Sequence, residues 1–233
     1  MSLETPEVIR TTRFVSDAAG FIEQHAELAL KERGEFRLAL SGGNTPRPVF
    51  EELARCNLPW DRVRITFGDE RCVPPDDKQS NYRMAREALL SKAKVPDESV
   101  LRMRGEVAPA KAADEYQEQL DRMAEEKGET IYRHDLILLG MGDDGHTASL
   151  FPGTPALDET QRRVVANFVP KFDQWRITFT YRLINAARHV CFLANAAKNA
   201  ELLQDVIGGN EQYPAARVRP ADGRVTWILG VTE

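Results

Sequence analysis

The stretch Asp135 to Leu139 reads as a strand, apolar at every position after its first residue, and it breaks directly into Gly140-Met-Gly-Asp-Asp-Gly-His146. A strand that is apolar at every position has to be covered on both faces, which points to a central place in a parallel sheet with layers above and below it. The flanking pattern agrees. Phe14 to Arg33 repeats apolar residues at helical spacing and stops before Gly34, and Phe36 to Leu40 has strand length. Val63, Ile65 and Phe67 alternate with Arg62, Arg64 and Thr66, as a strand would. Thr45 is placed to cap a helix with Pro46 in its first position, where a missing N–H costs nothing. Ser80 is placed to cap a helix running to about Ser91, and Ala108 to Lys127 reads as another. Arg176 to Thr180, Val190 to Ala194 and Val225 to Leu229 read as strands, and Lys198 to Ile207 as a helix. The expectation is an α/β fold: a three-layer, mostly parallel, Rossmann-like sheet flanked by helices. No Pro/Gly/Ser-rich linker, repeat or low-complexity tract divides residues 1–233, so a single domain is expected.

In such sheets ligands bind beyond the carboxyl ends of the strands. Four polar clusters each follow a predicted strand at once: Ser41-Gly-Gly-Asn-Thr45, Gly68-Asp-Glu-Arg71, Gly140 to His146, and Asn195-Ala-Ala-Lys198. If the preceding strands are parallel, all four clusters meet at one edge. An antiparallel strand would remove its cluster from the group.

The first cluster suits an anion. Gly42 and Gly43 let the backbone approach a ligand, and Ser41 and Thr45 add hydroxyl donors. The alternative is a tight strand-to-helix turn. In the second, Asp69 and Glu70 can orient hydroxyls or an imidazole, and Arg71 can neutralise a phosphate or a developing oxyanion. A surface ion-pair cluster is the competing reading. Lys198 supplies a point charge for phosphate or is a solvated helix lysine. His25, His134 and His189 sit on or beside predicted elements and read as structural. His146 differs, because a glycine turn and Asp143-Asp144 are poor core material. Its ordinary pKa leaves it largely neutral at neutral pH and able to accept a proton.

Other chemistries fit less well. Gly140-x-Gly142-x-x-Gly145 matches a dinucleotide fingerprint, but Asp143 and Asp144 would face the pyrophosphate and Pro152 would cut the required helix short. Ser41, Asp69 and His146 follow the chain order of an α/β-hydrolase triad, but the first glycine of the nucleophile elbow is absent. Asp143, Asp144 and His146 lack the separated further ligand of a usual metal site, so no metal is expected. A formal net charge of −5 argues against a nucleic-acid-binding face. Three unclustered cysteines, an N-terminus rich in Glu and Arg, and no run of membrane-spanning length lead us to expect a cytoplasmic protein without a membrane partner. The chain is compatible with a monomer and sets no oligomeric state.

With these pieces placed, the chain resembles the bacterial 6-phosphogluconolactonases over nearly its whole length. The resemblance rests on LALSGGNTP, ITFGDERCVP with SNYRMA following, LILLGMGDDGHTASLFP, RITFTYRLINAARHVCFL and the terminal YPAARVRPADGRVTWIL. It implies hydrolysis of 6-phosphogluconolactone in the pentose phosphate pathway, without a cofactor. His146 would then take a proton from water and return it to the ring oxygen. Asp69 would orient a sugar hydroxyl or the imidazole, Asp144 would assist, and Arg71 would serve the oxyanion or the phosphate. Ser41, Gly42, Gly43, Thr45 and Lys198 would hold the phosphate. Two other readings remain. A hexosamine-phosphate deaminase or isomerase shares the phosphate loop but carries a glutamate shortly after its histidine, and Thr147 to Pro152 contains no acid. A non-catalytic sugar-phosphate-binding regulator would need an attached partner module.

Overall fold

The computed structural model describes residues 5–197 and 199–231. Along the chain run β1 (Glu7–Thr11), α1 (Phe14–Arg33), β2 (Phe36–Leu40), α2 (Arg47–Leu53), β3 (Val63–Phe67), β4 (Asp69–Arg71), α3 (Asn81–Ala85) and α4 (Pro109–Glu125). Then come β5 (Leu136–Leu139), β6 (Val164–Val169), β7 (Gln174–Phe179), α5 (Tyr181–Ile184), β8 (His189–Asn195), α6 (Ala200–Ile207) and β9 (Arg224–Gly230).

Six strands form a sheet in the order β1-β9-β8-β5-β2-β3, with every neighbouring pair parallel. β5 lies inside it and all four of its residues are buried. Alternate side chains of one strand feed opposite cores. Leu136 and Leu138 join α1, α2 and Phe36 on one face, while Ile137 and Leu139 join α4, α6 and Trp227 on the other. Each such side chain contributes roughly 2 kcal/mol by leaving water. Gly34 ends α1 where the sequence placed the stop: its φ is 78°, and its N–H donates to the Leu30 carbonyl at 3.1 Å. Such a left-handed cap favours glycine, which has no Cβ to strain.

The structure adds a second sheet, β4-β7-β6, which is antiparallel and packs on the α4 side. Arg176 to Thr180 is thus a strand as read, but it belongs here and not to the parallel sheet. Asp69-Glu-Arg71 is itself a short strand and not a loop. Thr45 does not cap α2; Pro46 precedes that helix with a φ/ψ of −78°/−19°, so the backbone is already helical before Arg47. Ser80 does cap α3, accepting from the Arg83 N–H at 3.1 Å, and a π-helical turn over Arg86–Leu90 continues it.

Connections leave β2 toward β3 on one side and β5 toward β8 on the other. The crevice above the carboxyl ends of β2 and β5 is therefore the topological switch point, where a doubly wound sheet opens a ligand cleft. Among the described residues no helix is long and apolar enough to cross a membrane.

Candidate active site

The four strands that precede the polar clusters are neighbours, β8-β5-β2-β3, and all run the same way. Their trailing loops surround a cleft of about 200 Å³ at the switch point, with Ser41 to Thr45 on one wall and His146 on another. Asp69, Asp143, Asn195 and Asn199 complete the polar lining. A wider groove of about 1310 Å³ runs past Arg188, Thr226 and Trp227, and no described residue of the four clusters lines it.

The loop after β5 is built to present an imidazole. Gly142 N–H donates to the His146 carbonyl at 2.9 Å, and Gly145 turns the chain with a φ of 74°. Thr147 Oγ1 then donates back to the Gly140 carbonyl at 2.9 Å. The ring lies between two flat surfaces. Phe151 stacks on it at 3.8 Å with 22° between the planes, and the Gly142 backbone lies against it. A Cβ on residue 142 would fall 2.0 Å from the ring Cε1, so only glycine leaves room there.

Asp144 sets the tautomer. Its Oδ1 lies 2.5 Å from His146 Nδ1. A carboxylate only accepts, so Nδ1 must carry the proton and Nε2 keeps the lone pair. Burial pushes the Asp144 carboxyl up, but its bonds to His146 and Lys171 outweigh this and hold it at about 2. Burial lowers the His146 pKa below its ordinary 6.5, and the bond and charge of Asp144 only partly offset that effect. At neutral pH the imidazole is an uncharged, oriented base.

Asp69 is buried and held from two directions. Ser149 Oγ donates to its Oδ2 at 2.6 Å, and Asn81 Nδ2 donates to its Oδ1 at 3.1 Å and to its carbonyl at 2.9 Å. The Asn81 amide also lies against Gly42, so one side chain links the acid to the glycine loop. Glu70, the neighbouring acid, faces away and receives the backbone N–H groups of Asn81 and Tyr82 at 2.7 and 2.8 Å. It anchors the start of α3. Ser41 Oγ is buried without a hydrogen-bond partner among the described residues, so no serine–histidine pair forms. The dinucleotide reading also fails, because no helix follows Gly145; Thr147 and Leu150 form a bridge there instead.

Ser41, Gly42, Gly43, Thr45, Asp69 and His146 thus line one cleft, and Asp144 supports the histidine from behind. Arg71 is not in the lining; its guanidinium donates to the Gln79 carbonyl. Lys198 lies outside the described residues. His134, by contrast, is a core group: it is fully buried, its Nε2 is 2.9 Å from Thr66 Oγ1, and burial drives its pKa to about 3.

Sequence reasoning missed several residues. Phe151, Ser149 and Asn81 sit inside quoted motifs, but their contacts cross between elements. Arg176 lies directly opposite Arg71 in the β4–β7 ladder, is 7% exposed, and stands over the Phe151 and Phe172 rings at 5.6 and 5.0 Å. The Nε atoms of both arginines lack partners among the described residues. Like charges directly opposed on a sheet repel, so the pair favours an anion beside it, although neither arginine lines the cleft. Lys171, at the tip of the β6–β7 hairpin, bonds to Asp143 and Asp144. Those two acids and His146 bring potential metal-ligand atoms within 4.8 Å of one another, but the ammonium already sits on the acids.

Comparison with known proteins gives a consistent picture. The family model described as glucosamine-6-phosphate isomerases/6-phosphogluconolactonase matches residues 10–227. A 6-phosphogluconolactonase of Synechocystis is 42% identical over 205 residues, covering 86% of this chain and 84% of the relative. A human 6-phosphogluconolactonase is 35% identical over 220 residues, covering 91% and 84%. The crystal structure of the Thermotoga maritima 6-phosphogluconolactonase superimposes with a TM-score of 0.86 at 29% identity, covering 96% of this chain and 99% of that one. The Trypanosoma cruzi 6-phosphogluconolactonase gives 0.85 at 33% identity, covering 98% and 95%.

Proposed function

The chain belongs to the glucosamine-6-phosphate isomerase/6-phosphogluconolactonase family, and from that premise we infer that it hydrolyses 6-phosphogluconolactone to 6-phosphogluconate in the pentose phosphate pathway, with His146 as the base. The observation that carries the assignment of the base is the 2.5 Å bond from His146 Nδ1 to Asp144 Oδ1, which leaves Nε2 without a hydrogen-bond partner among the described residues in a histidine of the switch-point cleft.

A δ-lactone is an activated ester, so its hydrolysis needs an oriented water, a base and stabilisation of the oxyanion, but no covalent nucleophile. His146 Nε2 takes a proton from water as its oxygen bonds to the lactone carbon. The tetrahedral intermediate then collapses, the ring C–O bond breaks, and the imidazolium returns the proton to the departing ring oxygen. Base catalysis of this kind contributes roughly 10²–10⁴-fold. Asp144 keeps the tautomer and stabilises the imidazolium. Asp69 orients a sugar hydroxyl in the same cleft, and its negative charge raises the imidazole pKa against the effect of burial.

Ser41, Gly42, Gly43 and Thr45 hold the remote phosphate, with Lys198 as its counter-charge. Binding energy from that remote group places the carbonyl over the base. Arg176, paired with Arg71 across the β4–β7 ladder, adds positive charge near Asp69 from outside the cleft lining. An oxyanion donor in such a site is worth about 3–4 kcal/mol. The deaminase alternative is disfavoured, because no carboxylate occurs from Thr147 to Pro152 and an aromatic ring, Phe151, covers the imidazole instead.

A coupled assay with freshly made 6-phosphogluconolactone, corrected for spontaneous hydrolysis, tests this reading. Wild type should turn the lactone over, and His146→Ala should lose at least about a hundredfold in kcat with an unchanged melting temperature. Near-normal turnover in the variant would remove His146 as base. Ammonia release from glucosamine 6-phosphate would move the chain to the other branch.

A further inference from the structure

The tip of the β6–β7 hairpin, residues 170–173, turns on Asp173 with a φ of 47° and reaches across to the loop after β5. It touches that loop twice. Lys171 Nζ is 2.6 Å from Asp143 Oδ1 and 3.0 Å from Asp144 Oδ2. Phe172 meets Phe151 edge-on, with ring centroids 5.7 Å apart. Immediately behind these contacts stands the imidazole, bonded to Asp144 through Nδ1 and stacked on Phe151. One turn from a different sheet thus braces both the charged and the apolar support of His146.

We propose that Lys171 is a positioning residue for the reaction: it fixes the Asp144 carboxylate, and through it the orientation and basicity of His146. The proposal rests on His146 being the base. Asp144 uses one oxygen for the imidazole and the other for the ammonium, so the carboxylate plane is pinned at both ends. Without Lys171, Asp144 keeps one side-chain partner and can swing with the ring. The Lys171 side chain is 42% exposed, and such an ion pair contributes little to stability. Its effect should therefore appear in the chemistry and not in the melting temperature.

The charge argument has a definite sign. The groups facing His146 are Asp143 and Asp144 on its own loop, Asp69 on β4, Arg176 on β7 and Lys171 at the hairpin tip. Removing the ammonium leaves the two loop acids less neutralised, and their field then favours imidazolium. The His146 pKa rises, a smaller fraction is neutral, and the acid limb of kcat/KM moves to higher pH. For unit charges on the order of 6 Å apart the shift is about half a pH unit at the dielectric constant of water, and larger for a partly buried imidazole.

The test compares wild type, Lys171→Met and Lys171→Arg. Steady-state kinetics with fresh lactone are measured across pH, and the His146 ring is titrated by NMR on imidazole-labelled protein without substrate. We expect Lys171→Met to lose roughly 10- to 100-fold in kcat with KM within about twofold and an unchanged melting temperature. The acid limb and the NMR titration should both shift upward, and Lys171→Arg, which keeps the charge, should restore both. An unmoved imidazole titration in Lys171→Met would overturn the proposal. So would an activity loss that tracks a falling melting temperature or that arginine fails to rescue. Failure of the wild type to turn over lactone would instead strike the proposed function, and the substrate-free titration would still report on the link between Lys171 and His146.

Discussion

Gly42→Ala is a sharp probe of how the glycine loop and Asp69 are coupled. A Cβ at residue 42 would lie 1.8 Å from Asn81 Oδ1 and 2.2 Å from its Cγ, far inside contact distance. The amide cannot step aside freely, because Asn81 is 1% exposed and its own N–H is held by Glu70 Oε1 at 2.7 Å. Displacing it breaks the Nδ2 bonds to the Asp69 carbonyl and carboxylate. A neutral hydrogen bond is worth about 1 kcal/mol and one to a charged group about 1.5–3 kcal/mol, which together give roughly 2.5–4 kcal/mol. For a chain of this size that is a fall in melting temperature of roughly 5–15 °C. Gly20→Ala is the control with the opposite sign. Gly20 lies within α1 with nothing within 4 Å of its added Cβ, so the same methyl should stabilise by about 0.5–1 kcal/mol. Thermal melts of both variants, with lactonase assays alongside, decide the matter. If Gly42→Ala melts with the wild type and keeps full activity, the close contact between Asn81 and the glycine loop does not hold Asp69, and the reasoning is wrong.

Two further outcomes concern charge. Burial holds His134 at about 3 and His189 at about 4, both below the ordinary 6.5, so they stay neutral in the fold while the unfolded chain protonates. Stability is then full above pH 6.5 and falls as pH drops toward those folded values, each histidine adding up to about 1.4 kcal/mol per pH unit; urea midpoints that stay flat between about pH 4.5 and 6.5 would contradict this. Lys198→Ala should chiefly raise KM for the phosphorylated lactone and leave kcat near wild type, and an unchanged KM would take Lys198 out of the phosphate site.

Much of the architecture was legible because it depends on local burial and local turns. The apolar run Leu136 to Leu139 required cover on both faces and received it, and Gly34 ended α1 because its backbone is left-handed. β1 and β6 escaped notice: β1 is an edge strand with largely exposed residues, and β6 pairs only within the small antiparallel sheet. β7 was legible as a strand, but nothing local in the chain assigns it to a separate sheet or marks the hairpin tip that carries Lys171.

By itself the sequence determined which chemical groups follow which strands, because strand length, apolar periodicity and glycine turns are properties of neighbouring residues. From these came the parallel α/β class and the candidate base, His146. Only the tertiary structure decided how the groups are paired. Ser149 reaches Asp69 across 80 positions of the chain, Arg71 donates to Gln79 from outside the cleft lining, and Lys171 meets Asp144 from another sheet. Such contacts depend on the register and packing of whole elements, which no local pattern encodes. The orientation and basicity of the candidate base, His146, are set at that level.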